Sequence, residues 1–295
     1  MIGVKKISHA SYETPALEKQ LEYYTDVLGL TLIGREKDAA YLANTVEHHS
    51  IVLREGPHPR CMRIGFQLGP DDDLDAFEKQ TAAHGLRVTR KKDPEPTIED
   101  MVVFEDPKGT VMEVFKRPEP QKQPFRHNGI VPHKLGHVAF HVTDVQKVTR
   151  FYCDVLGFRV SDWMGDYFSF LRCGPDHHTI NFVKGKRTQM HHVAFELKDW
   201  AQIQATCDFL GSLNIPIIWG PGRHGPGHNV YTYHRNPDDQ IIEMFTELDK
   251  MLDESLGYFD PKPWHRDRPQ RPKVWTMPTD IWGPPPTSEY TRQRD

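Results

Sequence analysis

The segment GHVAFHV at residues 136–142 returns as HHVAFEL at residues 191–197. Alternation of apolar and other side chains predicts a strand in each copy. His137 and His192 open the two alternating stretches, so they should lie on the same face of equivalent strands. A single His in an apolar strand is more often a hydrogen-bonded core residue, but the repetition favours a shared chemical role.

A third strand-like segment, QIIEMF at residues 240–245, supplies Glu243. Two imidazoles and one carboxylate on separate strands predict a mononuclear metal site. Such ligands occupy one side of the ion and leave the opposite positions open, as in Fe(II) enzymes that bind substrate and dioxygen together. The pattern therefore favours a catalytic metal site over a structural one.

The first half of the chain repeats the second. Residues 8–30 align without gaps to residues 136–158, and both segments contain DVLG. The match resumes where CMRIGFQL meets MHHVAFEL, and where EDPKGTVMEVF meets RNPDDQIIEMF. Self-similarity of this kind indicates an internal duplication.

The duplication aligns the predicted ligands with residues of the first half. His9 falls on His137 and Glu113 falls on Glu243, whereas Arg63 falls on His192. Without the middle ligand, the first half is predicted to bind no metal and to serve as scaffold.

Each half is predicted to contain two βαβββ modules, which gives an α+β fold. Apolar residues from Val145 to Val155 recur at near-helical spacing before Gly157, and Trp200, Ile203, Cys207 and Leu210 do the same before Gly211. The modules are expected at about residues 4–57, 60–117, 134–187 and 188–247. The predicted domains are a non-metal-binding domain at 1–118, a Pro-containing linker at 119–133, a catalytic domain at 134–248 and an extended arm at 249–295.

The arm has a different composition from the rest of the chain. Prolines break regular structure there, and Trp264, Trp275 and Trp282 accompany them. Indoles are costly to leave in water, so the arm is expected to pack over the C-terminal domain or over a neighbouring subunit. A disordered tail is the alternative for its last residues.

Bulk composition excludes several classes of protein. A chain of 295 residues with 37% hydrophobic residues can form two domains with apolar cores. A net charge of −4 with scattered Lys and Arg argues against nucleic-acid binding. No segment has the apolar length of a membrane span, and the start lacks the apolar region of a secretion signal, so a cytoplasmic location is expected. The cysteines lie far apart and are expected to be reduced thiols: Cys61, Cys153, Cys173 and Cys207.

Residues 4–247 resemble the two-domain type I extradiol ring-cleaving dioxygenases of the vicinal oxygen chelate superfamily, which include catechol 2,3-dioxygenase and homoprotocatechuate 2,3-dioxygenase. The most specific segments are LGHVAFHV, HHVAFEL, GPGRHG at residues 220–225, and Tyr233 followed by NPDDQIIEMF. By this resemblance His137, His192 and Glu243 match the metal ligands. His191 is one residue out of phase, so its ring should face away from the metal.

The resemblance also implies which residues surround the metal. His178 matches the family's acid/base histidine, although its neighbour His177 leaves the choice open by one position. His224 and Tyr233 match a pair near the substrate and oxygen, and Phe170 stands at a ring-facing position that often holds Trp. The implied substrate pocket comprises Phe170, His178, His192, His224 and Tyr233. Trp219 stands where some relatives carry Arg, and the substrate's substituents are left open by these differences.

The implied activity is extradiol cleavage of a catechol with O2, using Fe(II) or alternatively Mn(II). Both oxygen atoms would enter a ring-opened semialdehyde product, with His178 moving the protons and Tyr233 and His224 hydrogen-bonding the reacting oxygens. A homo-oligomer, possibly a tetramer, is expected, with no nucleic-acid or membrane partner.

Two other functions fit the same scaffold. A glyoxalase-like isomerase or transferase would use the metal as a Lewis acid, but such sites usually add a second carboxylate ligand, which the sequence does not show. A non-catalytic aromatic-binding protein is the other alternative, and the presence of His178, His224 and Tyr233 argues against it.

Overall fold

Four βαβββ modules follow one another along the chain, which confirms the predicted α+β fold. The computed structural model describes residues 1–44, 47–120, 122, 128–256, 273–276 and 280–292. Trp264 lies outside the described residues. The first two modules contribute β1 (Lys6–Thr14), β2 (Thr31–Arg35), β3 (Ala39–Ala43), β4 (Ile51–Glu55), β5 (Arg60–Gln67), β6 (Thr89–Glu95), β7 (Ile98–Glu105) and β8 (Val111–Phe115). The last two contribute β9 (Lys134–Val142), β10 (Arg159–Met164), β11 (Phe168–Arg172), β12 (Ile180–Lys184), β13 (Gln189–Glu196), β14 (Trp219–His224), β15 (Val230–Arg235) and β16 (Ile241–Thr246).

Each half of the chain forms one sheet. The first sheet has the order β2-β3-β4-β1-β5-β8-β7-β6, and the second repeats it as β10-β11-β12-β9-β13-β16-β15-β14. The first strands of two modules pair antiparallel at the centre of each sheet, β1 with β5 and β9 with β13. The duplication seen in the sequence is therefore a duplication of sheet topology.

One helix follows the first strand of each module. The helices are α1 (Leu17–Glu22), which continues as a π-helical turn over Tyr23–Val27, α2 (Leu74–Ala83), α3 (Val145–Leu156) and α4 (Trp200–Ser212). Helix α3 ends at Gly157, whose φ of 74° is left-handed, as predicted. Helix α4 begins at Trp200, which is 46% exposed, and continues one residue past Gly211, so the predicted end before Gly211 was wrong by two residues. Among the described helices, none combines the length and apolar character needed to cross a bilayer.

The two halves share a continuous apolar core. Residues of both sheets and all four module helices belong to one buried cluster. Polar contacts also cross between the halves: the Tyr23 hydroxyl lies 2.5 Å from Nε2 of His234, and the Tyr152 hydroxyl donates to Asp106 over 2.9 Å. The first half is thus packed directly against the half that carries the predicted ligands.

The described parts of the arm extend the second sheet at both edges. Strand β17 (Lys273–Trp275) pairs parallel to β10, and strand β18 (Asp280–Trp282) pairs antiparallel to β14. A short helix, α5 (Ser288–Thr291), follows. Part of the arm therefore packs on the C-terminal half, and Trp282 is 44% exposed within the single chain.

Candidate active site

Strand register brings the three predicted ligands to one face of the second sheet. Ala194 on β13 pairs with His137 on β9 and with Glu243 on β16. Directly paired residues point to the same face, and so does His192, two positions before Ala194. The small side chain of Ala194 leaves the space between the flanking ligands open.

The ligand atoms of this triad converge. Nε2 of His137 lies 3.0 Å from Nε2 of His192 and 3.0 Å from Oε2 of Glu243, and Nε2 of His192 lies 3.1 Å from the same oxygen. Bonds of about 2.1 Å to one ion at mutual right angles place donor atoms about 3 Å apart. The described residues thus fit a divalent ion held by two neutral imidazoles and one carboxylate.

Electrostatics favour the protonation state that a metal requires at His192 and Glu243. Burial lowers the pKa of His192, so its ring is neutral. Burial acts to raise the pKa of Glu243, but interactions with the His137 and His192 rings outweigh it and hold that pKa well below the ordinary value. The amide of Asn229 donates to Oε1 of Glu243 over 2.9 Å, which leaves Oε2 directed at the two histidines.

His178 lies beside the triad in a buried position. Its ring centroid is 4.4 Å from that of His137 and 5.3 Å from that of Phe170. Burial, followed by the neighbouring rings of His137 and His177, lowers its pKa well below the ordinary value, so His178 is neutral at pH 7. Only His178 of the two candidates lines the cavity in front of the triad; His177 turns its Nε2 towards Asp162, 3.2 Å away.

Tyr233 and His224 form a hydrogen-bonded pair next to Glu243. Tyr233 pairs with Glu243 across β15 and β16, and its hydroxyl lies 2.9 Å from Nε2 of His224. Burial and the negative charge of Glu243 raise the pKa of Tyr233 well above its ordinary value, so the hydroxyl stays protonated and can donate. Asp280 of the arm contacts the other nitrogen of His224 over 2.9 Å.

The triad opens into a cavity of about 220 Å³ with largely aromatic walls. Phe170 lines it together with Trp219 and with Tyr290 from α5. No Lys or Arg lines it among the described residues. His191 also borders this cavity, but it stands outside the triad and contacts Nδ1 of His192 through its own Nδ1 over 2.6 Å. The cavity suits a flat, uncharged ring.

The first half contains a second buried cluster. His9, His49 and Glu95 place their nearest ligand atoms within 4.8 Å of one another. Arg54 donates to Glu95 over 3.1 Å, and Arg63 donates to Glu113 over 2.8 Å. Two guanidinium groups therefore balance two carboxylates without an ion. The absence of metal from this half stays a prediction.

Several of these contacts could not be found in the sequence. The sequence does contain a signal for His49, because EHHS at residues 47–50 resembles DHHT at residues 176–179, which includes His178. Asn229 and Asp162 have no motif of their own, and the position of Tyr290 depends on the path of the arm.

Comparison with known proteins identifies the family. A sequence profile of the Glyoxalase/Bleomycin resistance protein/Dioxygenase superfamily matches residues 6–114 and 134–244. The chain belongs to this superfamily. Within it, the manganese-dependent 2,3-dihydroxybiphenyl 1,2-dioxygenase of Geobacillus genomosp. 3 is 26% identical to this chain, over 93% of this chain and 94% of that protein.

Solved structures of the superfamily have the same fold. The Mn(II)-bound glyoxalase from Novosphingobium aromaticivorans is 27% identical, with a TM-score of 0.86 over 100% of this chain and 96% of that one. The substrate complex of homoprotocatechuate 2,3-dioxygenase from Brevibacterium fuscum with 3,4-dihydroxyphenylacetate is 27% identical, with a TM-score of 0.82 over 98% of this chain and 92% of that one. These matches confirm the predicted resemblance to extradiol dioxygenases.

Proposed function

We propose that this protein is an extradiol dioxygenase that opens the ring of a catechol with O2 and a divalent metal ion. The observation that carries the proposal is the convergence of three ligand atoms, 3.0 to 3.1 Å apart, at the floor of an aromatic cavity beside His178. The relatives named as dioxygenases support the same chemistry. His137, His192 and Glu243 would hold Fe(II) or Mn(II).

The metal would lower the pKa of the bound diol and allow electrons to pass between the ring and dioxygen. His178 is neutral and lies next to the triad, so it can accept a proton from a catechol hydroxyl and return it later to a reacting oxygen. The protonated hydroxyl of Tyr233, supported by His224, can donate a hydrogen bond to an oxygen near Glu243. Phe170 and Trp219 orient the ring and exclude water.

The cavity further supports a catechol with an apolar substituent. Its walls include Met164, Phe168 and Phe170 on one side and Trp219 and Tyr290 on the other. A carboxylate on the substrate would lose its hydration there without gaining a cationic partner from the described lining residues. We infer that alkyl or aryl catechols are preferred over carboxylated ones.

An anaerobic reconstitution tests the proposal. Metal-free protein is loaded with Fe(II) or Mn(II), mixed with catechol, a 3-alkylcatechol, 2,3-dihydroxybiphenyl or 3,4-dihydroxyphenylacetate, and then exposed to O2. Stoichiometric oxygen uptake with a yellow ring-opened product is expected, strongest with the apolar catechols. If the protein binds the metal but consumes no oxygen with any of these diols, the proposed activity is refuted. Preference for 3,4-dihydroxyphenylacetate would refute only the inferred preference for apolar substituents.

A metal-dependent isomerase remains the competing function, because one solved relative is named a glyoxalase. Glu243 is the only carboxylate among the described residues that line the cavity, whereas that chemistry usually uses a second one. Turnover of a glutathione hemithioacetal without O2 would favour the isomerase. Assembly into a homo-oligomer and a cytoplasmic location stay predictions.

A further inference from the structure

A line of hydrogen-bonding groups connects the arm to His178. Nδ1 of His178 lies 2.9 Å from Nδ1 of His177, and Nε2 of His177 lies 3.2 Å from Oδ2 of Asp162. The indole of Trp275 donates to the same Oδ2 over 2.7 Å. His177, His178 and Asp162 are all at least 97% buried, so these contacts are made away from solvent.

Strand β17 holds the Asp162 end of this line. Its pairing with β10 sets Lys273 opposite Asp162, and the backbone N–H of Lys273 donates to Oδ1 over 2.9 Å. The backbone N–H of Gly165 donates to the carbonyl of Trp275 over 3.0 Å and fixes the other end of the short ladder. The carboxylate therefore has a defined orientation towards His177.

With one ring hydrogen on each histidine, the line also specifies which nitrogen carries it. A carboxylate only accepts, so Nε2 of His177 must be the N–H that faces Asp162. With a single ring hydrogen on His177, its Nδ1 then carries a lone pair. The contact between the two Nδ1 atoms requires one donor, so His178 must carry its hydrogen on Nδ1 and a lone pair on Nε2.

We propose that Asp162, His177 and Trp275 are positioning residues that hold His178 in the tautomer with a basic Nε2. The inference rests on the proposed function, because it is the catechol proton that Nε2 would accept. The ring of His178 lines the cavity, and Nε2 is the nitrogen left after the contact with His177. The arm thereby supports the chemistry without touching the triad.

Asp162→Asn tests this inference because the amide can turn its NH2 group to His177. That would select the opposite tautomer of His177 and place the hydrogen of His178 on Nε2, the wrong nitrogen for a base. With a catechol that the wild type cleaves, kcat should fall roughly 10²-fold or more, with KM and metal content little changed. Trp275→Phe, which removes one donor to Asp162, should show a smaller loss of kcat.

Asp249→Asn is the matched control. Asp249 is equally buried, and its side chain contacts Nδ1 of His228 over 2.7 Å rather than a ring of the line. Its backbone carbonyl, which the substitution keeps, accepts from the backbone N–H of His177 over 2.8 Å. The Asp249→Asn variant should keep the wild-type kcat. If Asp162→Asn retains the wild-type kcat, or loses no more of it than Asp249→Asn, the positioning role is refuted.

Nuclear magnetic resonance provides a readout independent of turnover. In Zn(II)-loaded, ¹⁵N-histidine-labelled wild type, Nδ1 of His178 should bear a hydrogen and Nε2 should not, with the signals assigned from a His178→Asn spectrum. Asp162→Asn should reverse the two. A wild-type His178 protonated on Nε2 would overturn the proposal even if the protein folds poorly with Asn at 162. Failure of every catechol to react would refute the proposed function, while the spectrum would still decide the tautomer.

Discussion

Replacing Asn229 by Leu should weaken metal binding although Asn229 is not a ligand. Asn229 is fully buried, and its amide donates to Oε1 of Glu243 over 2.9 Å. Nε2 of His224 is 4.0 Å from the same oxygen, beyond hydrogen-bonding distance, and the variant removes the amide that donates to Oε1. Loss of a partner that orients a ligand typically costs roughly 10- to 100-fold in metal affinity. That range corresponds to about 1.4 to 2.7 kcal/mol.

The affinity is measured by titrating metal-free protein with Mn(II) in competition with a chelating indicator. Asn181→Leu is a matched control, because Asn181 is buried on β12 and lines the same cavity without contacting Glu243. The control should bind Mn(II) as the wild type does. A dissociation constant for Asn229→Leu within threefold of the wild type would show that Glu243 does not depend on this hydrogen bond.

Three further predictions concern the metal, the interface between the halves and the arm. Elemental analysis of reconstituted protein should find one divalent ion per chain, lost in Glu243→Ala; a second ion retained in that variant would place a metal in the first half. Burial lowers the pKa of His234 to about 3, so the folded protein stays unprotonated there while the unfolded chain takes up a proton below pH 6.5, and stability falls as the pH drops. His234 alone should lower the free energy of unfolding by about 2 kcal/mol between pH 7.5 and pH 5. Denaturant melts of His234→Gln should lack this loss, and equal losses in both proteins would contradict the assignment. A chain that ends at Leu256 lacks Tyr290, which lines the cavity. It should keep its metal, but its KM for an apolar catechol should rise roughly tenfold or more. An unchanged KM would show that the arm does not form the pocket.

The fold could be predicted because each local signal agreed with the duplication. The alternating stretches around His137 and His192 became the central strands β9 and β13, and Gly157 ended α3 where the left-handed conformation is required. The three ligands were found for the same reason: strand phase places side chains on a face before any tertiary contact is known. The roles of these residues stay predictions until metal and turnover are measured.

Contacts between distant segments could not be predicted in this way. Local periodicity does not indicate which arm residue contacts β10, so the hydrogen bond from Trp275 to Asp162 could not be predicted. The choice between His177 and His178 was open for a related reason. Both precede β12, and only the position of Asp162 on β10 shows which ring turns away from the cavity.

The duplicated register shows where the two halves differ at the site for which a metal is predicted in only one of them. Gly65 pairs with His9 and Glu113 as Ala194 pairs with His137 and Glu243, so both sheets bring a His and a Glu together. At the third position, however, Arg63 directs a guanidinium group at Glu113 from a place where a neutral imidazole would complete a triad.

That substitution changes the charge of the site as well as its donor atoms. Among the described residues no Lys or Arg contacts Glu243, so its negative charge is left to attract a divalent ion. In the first half, Arg63 and Arg54 already neutralise Glu113 and Glu95, and an added dication would leave an excess of positive charge in a buried place. Electrostatics thus favour a single metal in the second half, and the first half contributes the apolar core against which that half packs.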